Sequence, residues 1–446
     1  MPDEPAGGDI LTLAADFPPV STADWEAAIR ADLKGADYEK KLVWRTEEGL
    51  SVRPYYRAED TAGLAPFPCR ASGHTWEIAQ DGVPPWDRSL VFYHLAGVNA
   101  VQELAFAVFM GVSDLRMPRT APKKEMPFLF AIGPYYFVEI AKFRAMRLLW
   151  ANVTAAFGVE CPIRLAAITT SRNKSTYDRY TNLLRATTEA LSAIIGGCDT
   201  LTVDPFGFDP HLALNLQRIL KEEAHLDAVA DPAGGSYYIE SLTAAMAREA
   251  WKLFQQFEVE GLPAFTALIN ETRAARQKAV SSRRRNLVGV NNYPNLSEKT
   301  PGFEVPVAGT SRLAYPFEKI RARTNQMAAE RGAYPKVLLL KRGDLKMRMA
   351  RANFCLNFFG CAGFDIVESD ELAPADLIIL CSSDPEYLAF AQDICPKTAA
   401  PVLVAGNPQD HIEALKAAGV QGFVHIHSDA VQTLTDWQNR IAGGGQ

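Results

Sequence analysis

Histidine, cysteine and clustered arginine are the residue types here that most readily carry chemistry, and their surroundings decide which chemistry is open to them. Tyr93-His94 closes the apolar run Ser89–Leu95, which reads as a strand. A lone histidine at a strand end is a structural hydrogen bonder more often than a catalyst. His425 and His427 flank Ile426 on another predicted strand. Their period-2 spacing points both rings to one sheet face, making them candidate ligands for a metal or cofactor, against the plainer reading that they pack or face solvent. Seven cysteines, at 69, 161, 198, 355, 361, 381 and 395, have neither CxxC nor Cys/His spacing. That excludes a recognisable zinc site or disulfide framework and predicts reduced, mostly buried thiols. Arg283-Arg284-Arg285 lies in a polar stretch and reads as a solvated helix end in preference to a phosphate site. In Asp231-Pro232-Ala233-Gly234-Gly235-Ser236, proline and paired glycines make a turn where backbone can approach another chain or ligand, and a structural turn is the preferred reading.

The elements that must position these residues fall into distinct regions. The 446 residues are too many for one typical core, so two or three domains are expected. Composition is that of a soluble globular chain, 48% apolar and 22% charged. No apolar run approaches the roughly 20 residues of a membrane span. A net charge of -6 gives no general attraction for nucleic acid. Neither a signal nor a transit pattern opens the chain, so a cytoplasmic location is expected.

Residues 1–87 read as an N-terminal arm and subunit-contact segment: a helix from Ser21 to Gly35, then extended pieces from Leu42 to Tyr56 around Glu48-Gly49. Residues 88–295 alternate short apolar runs (Ser89–Leu95, Phe128–Ile132, Leu165–Thr169, Thr200–Val203) with amphipathic helices (Ala100–Met110, Tyr135–Phe157, Tyr177–Ile195). Strand-then-helix units at this spacing argue for a parallel sheet. Four units supply only about half of an eight-stranded barrel, which takes about 250 residues. Residues 296–333 form a linker and a helix from Pro316. Residues 334–446 alternate five strands with helices, an open doubly wound sheet whose ligand would sit at the carboxyl ends of its strands.

Four stretches resemble the methylmalonyl-CoA mutase family: Asp231–Thr243, Phe137–Trp150, Tyr180–Ala190, and Asp37–Thr46 with Glu48-Gly49. The resemblance implies an α/β chain in which a partial (β/α) TIM-barrel-like domain, lacking about half of its strands, precedes a flavodoxin-like doubly wound domain of cobalamin-binding type. It also implies a cobalt-ligating histidine in an Asp-x-His-x-x-Gly loop after the first strand of the terminal domain. Here that loop runs Lys341 to Met349, with Asp344 in place, Lys346 at the histidine position and Met349 at the glycine position. An ammonium group has no lone pair for a metal. This region, with Asn357–Gly363, is similar instead to the family's small, cobalamin-free subunit.

The barrel portion departs in the same direction. Tyr93-His94 lies near a catalytic Tyr-His position, but its spacing to Ala96-Gly97 fits the small-subunit pattern better. Glu125 and Pro127 stand where the catalytic pattern has an arginine and a serine that contact coenzyme A, and Asp204-Pro205 replaces an Asp-Glu pair. Trp76–Gln80 resembles the start of the barrel, yet Phe92-Tyr93-His94 follows about ten residues later instead of well over a hundred. The resemblance therefore implies a noncatalytic subunit that binds no cofactor of its own and supports a large subunit carrying adenosylcobalamin, in a heterodimer interconverting methylmalonyl-CoA and succinyl-CoA. No residue is assigned to catalysis, and His94 is the remaining candidate. A divergent acyl-CoA mutase-like enzyme, with His425 and His427 as candidate ligands, and a free-standing interaction protein are the alternatives.

Overall fold

A computed structural model describes residues 19–69, 75–79, 87–117, 124–303 and 312–443. Residues through Tyr56 form one compact unit, and those from Arg57 onward form a second. In the first, Ser21 caps α1 (Thr22–Asp32) and Asp37 caps the short α2 (Tyr38–Leu42), each accepting from a first-turn N–H. β1 (Trp44–Arg45) and β2 (Ser51–Val52) pair antiparallel across the turn at Gly49, where φ is +80°. Met1 to Pro18 lie outside the described residues.

The second unit holds two sheets, both parallel. The first combines β3 (Glu77–Ile78), β4 (Met126–Ile132), β5 (Ile163–Thr169) and β6 (Thr200–Thr202) in the order β3-β6-β5-β4, so it takes a strand from before residue 88. Around it lie α3 (Ser89–Ala96), α4 (Ala100–Arg116), α5 (Tyr136–Phe157), α6 (Arg179–Ile195), α7 (Pro210–Arg218) with a π-helical turn after it, α8 (Tyr237–Glu260) and α9 (Leu262–Ser281). Near-continuous apolar strands such as Phe128–Ile132 are what a sheet covered on both faces requires. β4 is the edge strand, which lets Pro127 sit in it without breaking a ladder.

One predicted strand is a helix. Ser89–Leu95 has the β-branched and aromatic content of a strand, yet it forms α3 and packs along β4. It lies beside the edge strand β4 without joining its ladder, and its backbone bonds are helical, with the Leu95 carbonyl also accepting from Arg172 Nη1 at 2.9 Å. Leu90 and His94, one helical turn apart, supply its buried face. His94 therefore sits in the last turn of a helix, not at a strand end.

The second sheet comprises β7 (Lys336–Lys341), β8 (Asp365–Ser369), β9 (Leu377–Cys381), β10 (Val402–Ala405) and β11 (Gly422–Val424), in the order β11-β10-β9-β7-β8. Before it comes α10 (Tyr315–Arg331), and between and after its strands lie α11 (Leu345–Gly360), α12 (Tyr387–Ile394), α13 (Ile412–Ala417) and α14 (Ala430–Ala442). Alternate residues of β7 go to opposite cores. Val337 and Leu339 join Phe358, Phe359 and Trp437 on one face, and Leu338 and Leu340 join Tyr387, Phe390 and Leu415 on the other. The first of these cores also takes Val280, Leu287 and Phe317, which tie the end of α9 and α10 to the sheet. Part of the expected linker, residues 304–311, lies outside the described residues.

Candidate functional site

In parallel α/β sheets ligands are held beyond the carboxyl ends of the strands. At the end of β4 the chain turns through Gly133 into α5, and four side chains converge there. Lys142 Nζ lies 2.8 Å from Glu103 Oε2 and 2.6 Å from Glu139 Oε2, and it donates to the Ala131 carbonyl at 2.7 Å. His94 Nδ1 stands 3.8 Å from Glu103 Oε2. None of the four is more than 8% exposed. Burial lowers the His94 pKa to about 4, outweighing Glu103, and so keeps the imidazole neutral. Burial also pushes Glu103 up, but Lys142 and His94 outweigh it and hold that carboxyl below its ordinary value. For Glu139 burial wins over Lys142, and its pKa rises to about 7. Burial opposes the charge on Lys142, and the two carboxylates overcome it and raise its pKa.

A second buried cluster follows β5. Lys174 Nζ bonds Glu189 Oε2 at 2.5 Å, and Asn173 Nδ2 donates to Glu189 Oε1 at 2.6 Å. Both charged side chains are at most 1% exposed. Asp204, after β6, is also partly buried, and its N–H donates to Thr169 Oγ1. The carboxyl ends of β4 and β5 are thus occupied by the chain's own buried ion pairs.

Two of the resembling stretches meet through one guanidinium. Arg144 of α5 bonds Asp231 and reaches Glu240 Oε1 at 2.8 Å. Glu240 in turn accepts from the Gly235 N–H at 2.9 Å. Gly235 has φ +81°, the left-handed conformation that favours glycine. The Asp231–Ser236 turn is therefore anchored onto α5, as the structural reading expected.

At the end of β7 the arrangement is shallower. Asp344 Oδ1 accepts from the Met347 N–H and caps α11. Lys346 and Met349 point outward on its exposed first turns. The Glu386 carboxylate accepts from Ser382 Oγ at 2.8 Å, Ser383 Oγ at 2.5 Å and the Asp344 N–H at 3.2 Å. The two serine hydroxyls, Ser383 first, lower its pKa to about 2. β7 is flanked by β8 and β9, so this crevice lies where the strand order reverses, and Glu386 occupies it. His425 and His427 are far along the sheet, after the edge strand β11, their ring centroids 6.0 Å apart. The His427 N–H donates to His425 Nδ1 at 3.2 Å, so that nitrogen's lone pair is engaged within the turn. Among the described residues no group of three His, Cys, Asp or Glu side chains could hold a metal.

A family model described as methylmalonyl-CoA mutase matches residues 70–332. The chain belongs to the methylmalonyl-CoA mutase family. It is 30% identical to the methylmalonyl-CoA mutase small subunit of Porphyromonas gingivalis, across 96% of this chain and 98% of that one. It is 32% identical to the small subunit of Streptomyces virginiae, covering 78% of this chain and 63% of that protein. It is 34% identical to the methylmalonyl-CoA mutase of Escherichia coli, over 54% of this chain and 38% of that one. The Porphyromonas alignment extends over 614 residues, more than the 446 of this chain, so that relative has well over a hundred residues without a counterpart here.

The residues at the β7 loop do not fit a cobalt ligand of the family type. The donor set there is the Lys346 ammonium, the Met349 thioether, two hydroxyls and carboxylates, with no imidazole. Glu125 is exposed at the amino end of β4, on the rim of a cleft of about 880 Å³ that also meets the ion pairs Arg147–Asp199 and Arg164–Glu77. That is the end opposite to the one where such sheets bind ligands. Sequence reasoning missed the Lys142 cluster and the role of Arg144. The Glu139–Lys142 spacing of three residues on a helix was its one readable signal.

Proposed function

We propose that this chain is the noncatalytic small subunit of a heterodimeric, adenosylcobalamin-dependent mutase that interconverts methylmalonyl-CoA and succinyl-CoA, supporting a large subunit that holds the cofactor. The reading rests first on the loop after β7, where Lys346 stands at the position a cobalt-ligating imidazole would need. The enclosed, neutral His94 supports it, because a general acid must reach a reacting group and this one is surrounded by Glu103 and Lys142. The names of the small-subunit relatives agree with it.

On this reading the four-stranded sheet is the retained part of a (β/α)8 barrel, and the five-stranded sheet is a flavodoxin-like domain, whose strand order 2-1-3-4-5 matches the one found here. The excess residues of the Porphyromonas relative are enough in number to account for the missing part of a barrel. The expected setting is the cytoplasm, with neither nucleic acid nor membrane as partner; no described helix is long and apolar enough to cross a membrane.

The test is to assay methylmalonyl-CoA isomerisation with the purified chain alone, with a catalytic large subunit alone, and with the two mixed, following assembly by light scattering. No turnover by the chain alone, a 1:1 complex and higher or more durable activity on mixing are expected. Mutase turnover by the isolated chain with added adenosylcobalamin would overturn the proposal.

A further inference from the structure

Loops ordinarily run over the surface, because buried backbone N–H and C=O groups must be paired. The loop after β5 departs from that rule, since each residue from Arg172 to Tyr177 is at most 7% exposed. On one side it is held by α6, through the Lys174–Glu189 pair and the Asn182 amide, which donates to the Ser175 carbonyl at 2.8 Å. Four backbone groups of Arg172–Asp178 are paired on the other side. The carbonyls of Arg172 and Thr176 accept from the N–H groups of Leu313 and Gly302, each at 2.9 Å. The Thr176 N–H donates to Glu318 Oε1 at 2.9 Å, and the Asp178 N–H to both oxygens of Glu298, at 3.0 and 2.8 Å.

All four partners lie between Glu298 and Glu318, the stretch that leads from the first sheet to the second. That stretch is also bound to the second sheet. Phe317 and Ile320 of α10 enter its core. From α14, Gln438 donates to the Ile320 carbonyl at 2.7 Å and to Thr324 Oγ1 at 2.6 Å. Arg321 of α10 lies 3.9 Å from the centre of the Tyr177 ring and donates to the Glu298 carbonyl. Arg312 pairs with Glu318 at 2.7 Å, so the acceptor for Thr176 is itself fixed. Asp178 has φ +50°, a conformation that a residue with a side chain keeps where its surroundings hold it. Breaking one of these bonds leaves a buried polar group unpaired, which favours a set that is made or lost together.

We propose that the Glu298–Glu318 stretch is a clasp through which the second sheet holds the loop after β5 shut, and that the clasp opens as one unit while both sheets stay folded. Whatever displaces α10 then uncovers the Lys174–Glu189 end of the first sheet, and whatever opens that end displaces α10, because coupling between two sites is reciprocal. This device does not depend on the subunit role proposed above.

The test is hydrogen exchange of the full chain, read by mass spectrometry on peptides covering Arg172–Arg179, Glu298–Phe303 and Arg312–Glu318, with peptides of β5 and β7 as the reference. Glu298→Ala removes the side-chain acceptor of Asp178 and leaves the bonds of Thr176, Gly302 and Leu313 in place. Exchange in all three clasp peptides is expected to rise together by about ten- to hundredfold, the size of one hydrogen bond to a charged group, with the reference strands unchanged. Gln438→Ala, which loosens α10 from α14 on the side away from the loop, should raise the same three peptides. A rise that is absent or confined to the peptide holding Asp178 would mean that the contacts break one at a time. A rise of equal size in the reference strands would mean that nothing opens short of unfolding, and no rise in Arg172–Arg179 with Gln438→Ala would mean that the second sheet does not hold the loop. Each of these results overturns the proposal.

Discussion

At the carboxyl end of β4, Lys142 holds two carboxylates with none of the three side chains more than 6% exposed. At the carboxyl end of β7, Glu386 fills the corresponding space from near the surface, held by two serine hydroxyls and a backbone N–H. Both places where a parallel sheet offers a ligand site are taken up by the chain's own groups, but at different depths. In the first, Lys142 is the one cation between two buried carboxylates, so its removal leaves both uncompensated and out of water. In the second, solvent stands ready to replace what is removed. The first end is committed to structure, and the second is a surface feature that substitution can reopen.

The largest expected effect breaks the balance at β4. Lys142→Met leaves Glu103 and Glu139 without their cation and is expected to cost about 3–5 kcal/mol of stability in urea denaturation. Lys142→Met combined with Glu103→Gln and Glu139→Gln should recover much of that loss. A single-variant cost no larger than that of an exposed pair would mean that water reaches this end and that the two sheet ends do not differ in kind.

Next in size is Arg144, 3% exposed and shared between Asp231 and Glu240. Arg144→Met should destabilise by about 1.5–3 kcal/mol, the range for hydrogen bonds to charged groups. It should also make the Asp231–Ser236 turn a site of limited proteolysis, while cleavage elsewhere stays unchanged.

Acidity separates the members of the β4 cluster. His94 has a folded pKa near 4, below the 6.5 of an unperturbed histidine, so the unfolded chain binds the extra proton between those values. Its contribution to stability is complete above pH 6.5 and is lost as pH falls toward 4. Glu139 acts in the opposite sense. Its folded pKa near 7 exceeds the ordinary 4.5 of a glutamate, so its contribution is complete below pH 4.5 and is lost as pH rises through 7. His94→Gln should flatten the acid limb of the stability profile and Glu139→Gln the neutral limb. The same slope in both variants would show that the cluster titrates as one unit.

These contrasts also mark what the residues made legible. Strands β7, β9 and β10 were readable because each centres on a short apolar run, and both cores of that sheet follow from alternation along β7; β8 is half polar, and no helix separates it from β9, where the strand–helix alternation expected of the region breaks. Ser89–Leu95 misled because strand propensity is an outcome of context, and this run packs along β4 as a helix that buries Leu90 and His94 instead of pairing with that strand. Glu103 lies 39 residues from Lys142, a distance over which spacing carries no signal. Arg283 looked solvated beside Arg284 and Arg285, and only the packing of α11 against the end of α9 places aromatic rings under it.

The smallest expected effect concerns the β7 crevice. Glu386→Ala removes an acceptor that solvent can replace, so its melting temperature at neutral pH should move less than that of any variant above. On the reading proposed above, Lys346→His would place an imidazole at the expected cobalt-ligand position, and the missing donor would then no longer be the obstacle. Glu386 would still occupy the crevice above Gly343, where its carboxylate lies so close that a Cβ on that glycine would meet it. Lys346→His alone should therefore leave the visible spectrum of added cobalamin unchanged, and Lys346→His with Glu386→Ala is the variant in which a change is expected. A spectral shift in the single variant would show that the Glu386 carboxylate is no barrier to the cofactor, and the crevice would then be as open as its exposure suggests.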